Sequence, residues 1–322
     1  MNVDEPERKG KQMRNAEFYN FTQQVQGALY GALFAGQSKL SEPLPALPPL
    51  LQVRGGYAES PGWFMVQASE FDPQPLTVAN LRVRDIYASE RIVAALLELL
   101  TGEQWLQRRG DGYSLTQPGR ELLAAIRQRT LTLLDVMEAL LPPDDMVRLA
   151  HLLGRIIDAA LQAETPPGAW CLAHSRHRAP ADDAPLFLRI THYFSDLNAF
   201  RDDAHMAAWR PLRVSGHAWE AFALIGAGQA TSAADVYAKL PFRGYSEEEY
   251  ASSLQMLVQR GWLANAGDNF AVTPAGEQVR AQVEEHTDAY FYAPWSTLSD
   301  AEMDEVRQLL ENLHARAQVL TT

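Results

Sequence analysis

Apolar positions along this chain recur at helical spacing in two places. Ile92, Leu96, Leu99 and Leu100 form one stripe, and Tyr250, Leu254, Leu257 and Val258 form another. Each predicts an amphipathic helix with one buried face. Ser89 and Ser246 open these helices, and each is followed by Glu. A serine hydroxyl there accepts hydrogen bonds from free backbone N–H groups, and the acidic residue suits the positive end of the helix dipole. Shorter helices are predicted just upstream, over 76–83 and 232–240. Beyond each stripe, over 105–116 and 262–273, apolar residues flank a turn rich in Gly, Asp and Asn, the pattern of a β-hairpin. Trp105 and Trp262 start these hairpins and are both expected to be buried. Thr116-Gln-Pro-Gly119 and Thr273-Pro-Ala-Gly276 then lead into a further helix.

These two sets are one pattern written twice. Shifting 89–124 by 157 residues onto 246–281 needs no gap and leaves 12 of 36 positions identical, from Ser89/Ser246 through Trp105/Trp262 to Gly119/Gly276 and Ala124/Ala281. The register persists at Met146/Met303, Leu149/Val306, Leu152/Leu309 and Leu153/Leu310. A solenoid repeat runs to about 20–50 residues, so a period this long predicts two fused domains. Long helices are predicted ahead of each copy, over 18–34 and 186–209. Pairs follow each copy, 128–140 with 146–163 and 283–292 with 299–319, broken at Pro142-Pro143 and at Pro294. Residues 164–185, rich in Pro, Ala and charge, read as a linker. Residues 37–60, with Pro43, Pro45, Pro48 and Pro49, read as a surface loop.

Helix, helix, two-stranded wing, L/V-T-x-x-G, helix: over 76–125 and 232–282 this order resembles the winged helix-turn-helix, and MarR-like regulators most closely. The resemblance implies a mainly α fold with two tandem winged helix-turn-helix modules bearing small β-hairpin wings. The modules would pack as a pseudo-dimer through the long flanking helices, with halves at 1–163 and 186–322. It also implies transcription regulation and binding of a small aromatic ligand between the halves. The same unit serves as a dimerisation domain in many O-methyltransferases. Here no glycine-rich nucleotide loop follows either copy, and no space remains for a methyl-transfer domain.

Composition narrows the choice. At 322 residues, 47% hydrophobic and 21% charged, the chain has room for two ordinary globular domains. Its N-terminal residues carry charge and no apolar signal core, and no stretch approaches a membrane span. Cys171 is alone, which excludes an internal disulfide and a multi-cysteine zinc site. A cytoplasmic setting and no membrane partner are expected. The net charge of −12 gives no general attraction to nucleic acid, so duplex DNA would need a local basic patch.

In the first copy the resemblance gives that role to Arg82 and Arg84 before the longer helix, Arg91 on it, and Arg108 and Arg109 at the wing tip. Arg120, Arg127 and Arg129 follow. The second copy opposes it: Glu247, Glu248 and Glu249 open the helix, and the wing over 264–269 holds Asp268 and no Lys or Arg. Any duplex contact is therefore expected through the first half only. A continuous basic stripe would favour a regulator, whereas arginines paired with neighbours such as Asp85, Glu90 and Asp111 would favour loss of DNA binding.

Two further clusters bear on chemistry. His192, Asp196 and Asp203 share one face of the 186–209 helix, with Arg201 and His205 on another, and His174, His177 and His217 lie outside it. This matches no metal signature, so no metal or cofactor and no catalytic residue is assigned. Aromatic residues gather on the long helices and around 290–295. A ligand pocket walled by them would draw on Tyr30, His192, Tyr193, Arg201, His205, Tyr290 and Trp295. Three readings stand: a ligand-responsive regulator with weak or asymmetric DNA binding; a winged-helix pseudo-dimer that lost DNA binding and binds a small molecule or protein; and an enzyme using His192, Asp196 and His205. The unit would be a monomeric pseudo-dimer or a homodimer.

Overall fold

A computed structural model of the chain describes residues 15–44, 46–52, 61–267 and 269–321. The charged N-terminal stretch, Pro45, residues 53–60 and Asp268 lie outside them. The architecture is mainly α with two small antiparallel hairpins, each following a helical segment, consistent with two winged helix-turn-helix-like modules. No helix among the described residues is long and apolar enough to cross a membrane.

The helices are α1 (Ala16–Ala35), α2 (Pro61–Phe71), α3 (Val78–Arg84), α4 (Glu90–Gly102), α5 (Gln117–Val136), α6 (Pro143–Ala160) and α7 (Trp170–Arg176). Then come α8 (Leu186–Trp209), α9 (Gly216–Gly226), α10 (Ala233–Lys239), α11 (Glu247–Gln259), α12 (Pro274–Tyr292) and α13 (Asp300–Thr321). The strands are β1 (Leu106–Arg109), β2 (Gly112–Leu115), β3 (Leu263–Ala266) and β4 (Asn269–Val272). The chain divides into two compact units, and each takes segments from both halves of the sequence.

The first unit comprises Met1–Leu47, Ala124–Ala204 and Thr287–Thr322. Its core joins Val25, Leu29 and Leu33 of α1 to Leu152 and Ile156 of α6, Phe194 of α8, Trp295, and Leu310 and Leu313 of α13. Arg148 on α6 clasps Glu305 on α13 through two nitrogens, at 2.9 and 2.7 Å. Arg155 likewise meets Glu302.

The segment read as a linker contains a helix. Asp203 on α8 accepts hydrogen bonds from the N–H groups of Cys171 (2.9 Å) and Leu172 (3.1 Å), capping α7. Asp196 accepts from Ser175 Oγ and from Arg176 Nη1, both at 2.8 Å. The acidic face of α8 thus holds α7 in place, with Cys171 and Leu172 buried beneath it.

The second unit comprises Pro48–Leu123 and His205–His286 and contains both modules. In the first module Phe64, Met65, Leu81, Val93, Leu97, Leu100, Trp105 and Tyr113 form the core. In the second, Trp219, Phe222, Val236, Tyr250, Leu254 and Leu257 are buried. The hairpins share one register, Leu106 opposite Leu115 and Leu263 opposite Val272. Gly110 and Gly267 turn them at φ of 65° and 67°, where a side chain would be strained. Thr116 Oγ1 donates to Gln104 O at 2.6 Å and accepts from Gly119 N at 3.0 Å; Thr273 does the same with Gly261 O and Gly276 N. Gly119 and Gly276 pass so close to the carbonyls of Trp105 and Trp262 that a Cβ would stand 2.2 Å from the oxygen. That approach is why the motif ends in glycine.

The tryptophans differ. Trp105 is buried as expected, but Trp262 is only half-buried. One face of its ring carries the Arg260 guanidinium, 5.4 Å from the centroid, so a polar group covers the indole there.

Candidate nucleic-acid interface

Helices α4 and α11 start as the sequence requires. Ser89 Oγ accepts from Ile92 N at 3.2 Å. Ser246 and Glu249 form a reciprocal capping box, with Glu249 Oε2 accepting from Ser246 N at 2.7 Å. Glu249 therefore has a structural task beyond its charge.

The arginines of the first module are mostly engaged by carboxylates. Arg82 Nη1 lies 2.8 Å from Glu90 Oε1. Arg84 turns inward: its Nε donates to Gln67 (3.0 Å) and to the fully buried Glu70 (3.2 Å), both on α2. Arg108 is bound to Glu98, which also accepts from the Tyr113 hydroxyl at 2.6 Å. Those two hydrogen bonds, Tyr113 first and then Arg108, hold the Glu98 carboxyl below its usual range. Arg120 is paired with Asp72 at 2.6 Å. Arg109 is exposed at the wing tip and makes no ion pair among the described residues.

Arg91 is engaged by the other module. Its Nη2 donates to Glu249 Oε2 at 2.7 Å and to the Gly244 carbonyl at 2.8 Å. The bond to Arg91 is the main reason the Glu249 carboxyl stays below its usual range. Around this pair the starts of α4 and α11 are joined. Ser89 N donates to Arg243 O at 2.8 Å, Ser89 Oγ to Gly244 O at 3.0 Å, and the Tyr245 hydroxyl to Ala88 O at 3.4 Å. Beneath them Arg243 bridges Asp85 of the first module, at 2.9 Å to both oxygens, and Glu220 of the second, at 2.6 Å. Its guanidinium lies over the rings of Tyr87 and Phe242. Burial pushes the carboxyls of Asp85 and Glu220 up, and the charge of Arg243 only partly offsets it.

A two-site DNA reader places its recognition helices about 34 Å apart, one turn of duplex. Here the first turns of α4 and α11 are in hydrogen-bonding contact. No signal in the sequence pointed to Arg243, Glu220 or Gly244.

An open cleft of about 460 Å³ flanks α11, lined by His217, Glu248, Glu249, Ser252, Ser253 and Met256. His217 stacks on Tyr245 with centroids 4.0 Å apart and lies 2.9 Å from Ser253 Oγ. Burial lowers its pKa.

The other candidate residues sit in packed surroundings. Trp295 is fully buried against Phe18, Phe291 and Tyr292. Arg201 pairs with Asp288 at 2.9 Å and lies over the rings of Tyr19 and Phe291. His192 Nε2 is 3.3 Å from Asp196 Oδ1, and Tyr193 lies beneath the Arg176 guanidinium. Tyr290 is partly buried at the edge of this core, and Tyr30 is exposed on α1. His205 belongs to the second unit, where its Nε2 accepts from Trp219 Nε1 at 3.1 Å. Among the described residues, no group of three or more His, Cys, Asp or Glu side chains is arranged to hold a metal ion.

No curated protein and no solved structure matches the chain. Residues 168–320, from α7 to α13 and so including the whole second module, match a helix-turn-helix family.

Proposed function

We propose that the chain is a MarR-like winged-helix regulator built as a pseudo-dimer in one polypeptide, with halves at 1–163 and 186–322. Its contact with duplex DNA is weak and runs through the first module alone. The observation that carries this reading is the contrast between wings. The β1–β2 wing bears Arg108 and Arg109, both exposed, whereas β3–β4 has the sequence LANA and NFAV, without a cation. Phosphates attract the first and gain nothing from the second. Arg84, held on buried Glu70, contributes to packing rather than to DNA. A small aromatic effector, as the MarR-like resemblance implies, would have to part the cluster around Trp295, because that side chain has no exposed surface.

Gel retardation of a duplex across a salt series tests this. Binding is expected to weaken steeply with salt, and Arg108→Ala with Arg109→Ala should lower the log–log slope by up to about two. Changing Asn265 and Asn269 on the second wing should leave it unaltered. The ion pairs of Arg82, Arg91, Arg108 and Arg120 favour a second reading, a module that binds a protein or small molecule and no DNA. Absence of retardation even at the lowest salt would overturn the first reading and leave the second as the working one.

A further inference from the structure

We propose that the second module is an internal inhibitor of the first, with Glu249 occupying on Arg91 the place that a DNA phosphate would take. The proposal rests on the DNA-binding reading above and adds how that binding is held in check.

Arg91 is the second residue of α4, at the end of the recognition helix that would approach the duplex. A carboxylate, like a phosphate, offers a guanidinium charged oxygens that accept charge-assisted hydrogen bonds. Glu249 is aimed for this contact, because its capping bond to Ser246 N fixes the carboxylate beside the helix start. Gly244 O takes a second Arg91 hydrogen bond. Ser89, whose hydroxyl caps α4, is held by its N–H on Arg243 O and by Oγ on Gly244 O. Arg82 is on Glu90. Of the residues a phosphate backbone would meet at this helix start, Arg91 and Ser89 are therefore engaged by the second module and Arg82 by Glu90 of its own.

The contact is built to be displaced. Arg91 and Glu249 remain 65% and 38% exposed, so water and salt screen their attraction. The buried Asp85–Arg243–Glu220 bridge below sets the distance between the modules. A polyanion competes with the outer pair, and only rearrangement of the inner bridge separates the two helices. The acidic opening of α11, unsuited to DNA, complements the arginine at the opening of α4.

Two variants test this in the full-length protein. Gly244 has φ of 74°, and a Cβ there would stand 2.5 Å from Ser89 Oγ and 2.7 Å from Ile92 Cβ, so Gly244→Ala wedges the modules apart. Glu249→Gln is milder: it removes the charge facing Arg91 while glutamine can still complete the capping box. Amide exchange at Ser89 reports opening, and duplex retardation over a salt series reports binding. Gly244→Ala should speed Ser89 exchange and tighten duplex binding roughly tenfold, with the salt slope steeper by about one as Arg91 gains a phosphate. Glu249→Gln should tighten binding about two- to fivefold, the scale of an exposed ion pair, and adding Arg91→Ala should cancel the gain. Faster Ser89 exchange with unchanged affinity would overturn the inhibition, as would Glu249→Gln binding like the parent. If the parent binds through Arg108 and Arg109 and neither variant improves on it, only this proposal fails. If no form retards a duplex, the regulator reading falls with it.

Discussion

Replacing Arg243 with alanine is expected to remove about 3–5 kcal/mol of folding stability, read from urea unfolding at neutral pH. The guanidinium is only 12% exposed and is shared by Asp85 and Glu220, themselves 7% and 18% exposed. Without it two carboxylates would face each other across a poorly solvated junction. Replacing Arg243, Asp85 and Glu220 together by apolar residues of similar volume should restore most of the loss, because no charge is then left uncompensated. An Arg243→Ala protein that unfolds at the parent's midpoint would show that the bridge contributes little. The same triad gives a pH dependence. Burial raises both carboxyl pKa values, so the folded chain retains protons that the unfolded chain has already released. Stability from this source is full below the ordinary carboxylate range and is lost as pH climbs from there through the raised values. Asp85→Asn should flatten that decline. Glu302, held at about 2 chiefly by its hydrogen bond from Arg155, works in the opposite sense. Its contribution is complete above the ordinary carboxylate range and disappears as pH falls towards 2, so the two effects separate along the pH axis.

Gly119→Ala and Gly276→Ala should each cost about 3 kcal/mol, at the upper end for overpacking. The added methyl meets a backbone oxygen at 2.2 Å and a side-chain carbon at 3.3 Å (Leu115) or 3.0 Å (Val272). A side chain could swing away, but the Trp105 and Trp262 carbonyls are fixed by hydrogen bonds from Thr116 and Thr273. Thermal unfolding of each single variant checks this, and a loss below about 1 kcal/mol would mean that the hairpin can lift off its following helix.

The hairpins, their helices and the long flanking helices were legible because their signals are local. Ser89 and Ser246 cap where they stand, Gly110 and Gly267 turn where they stand, and the apolar stripes need no distant partner. Helices α2 and α9 escaped because their sequences, PGWFMVQASEF and GHAWEAFALIG, are apolar on nearly every side and give weak periodicity. Missing α2 had a direct consequence, since Glu70 on it turns Arg84 inward. Helix α7 escaped for a different reason. Its cap comes from Asp203, 32 residues along the chain from Cys171, and nothing in a Pro- and Ala-rich stretch announces it. The His192, Asp196 and Asp203 face was read correctly as a face, yet its two aspartates dock a helix. The junction was least legible, because Arg243 and Asp85 are 158 residues apart and belong to no motif.

The Arg148–Glu305 clasp has a bearing on how such a chain could have arisen. Position 305 is position 148 moved along by the repeat distance of 157. In a symmetric homodimer, residues facing across the axis are copies of one another. Here the two positions carry opposite charges. On the pseudo-dimer reading proposed above, two first halves would set Arg148 against Arg148 and two second halves Glu305 against Glu305, so each half would fit its sibling and repel its twin. Cutting the chain in the exposed 164–166 stretch and mixing the pieces should give a one-to-one heterodimer by size exclusion, with neither piece pairing with itself. Equal self-association would show that the divergence is incidental. The expected outcome would mark a duplication that has become irreversible: once the copies specialise for each other, the ancestral solitary subunit can no longer be recovered from either.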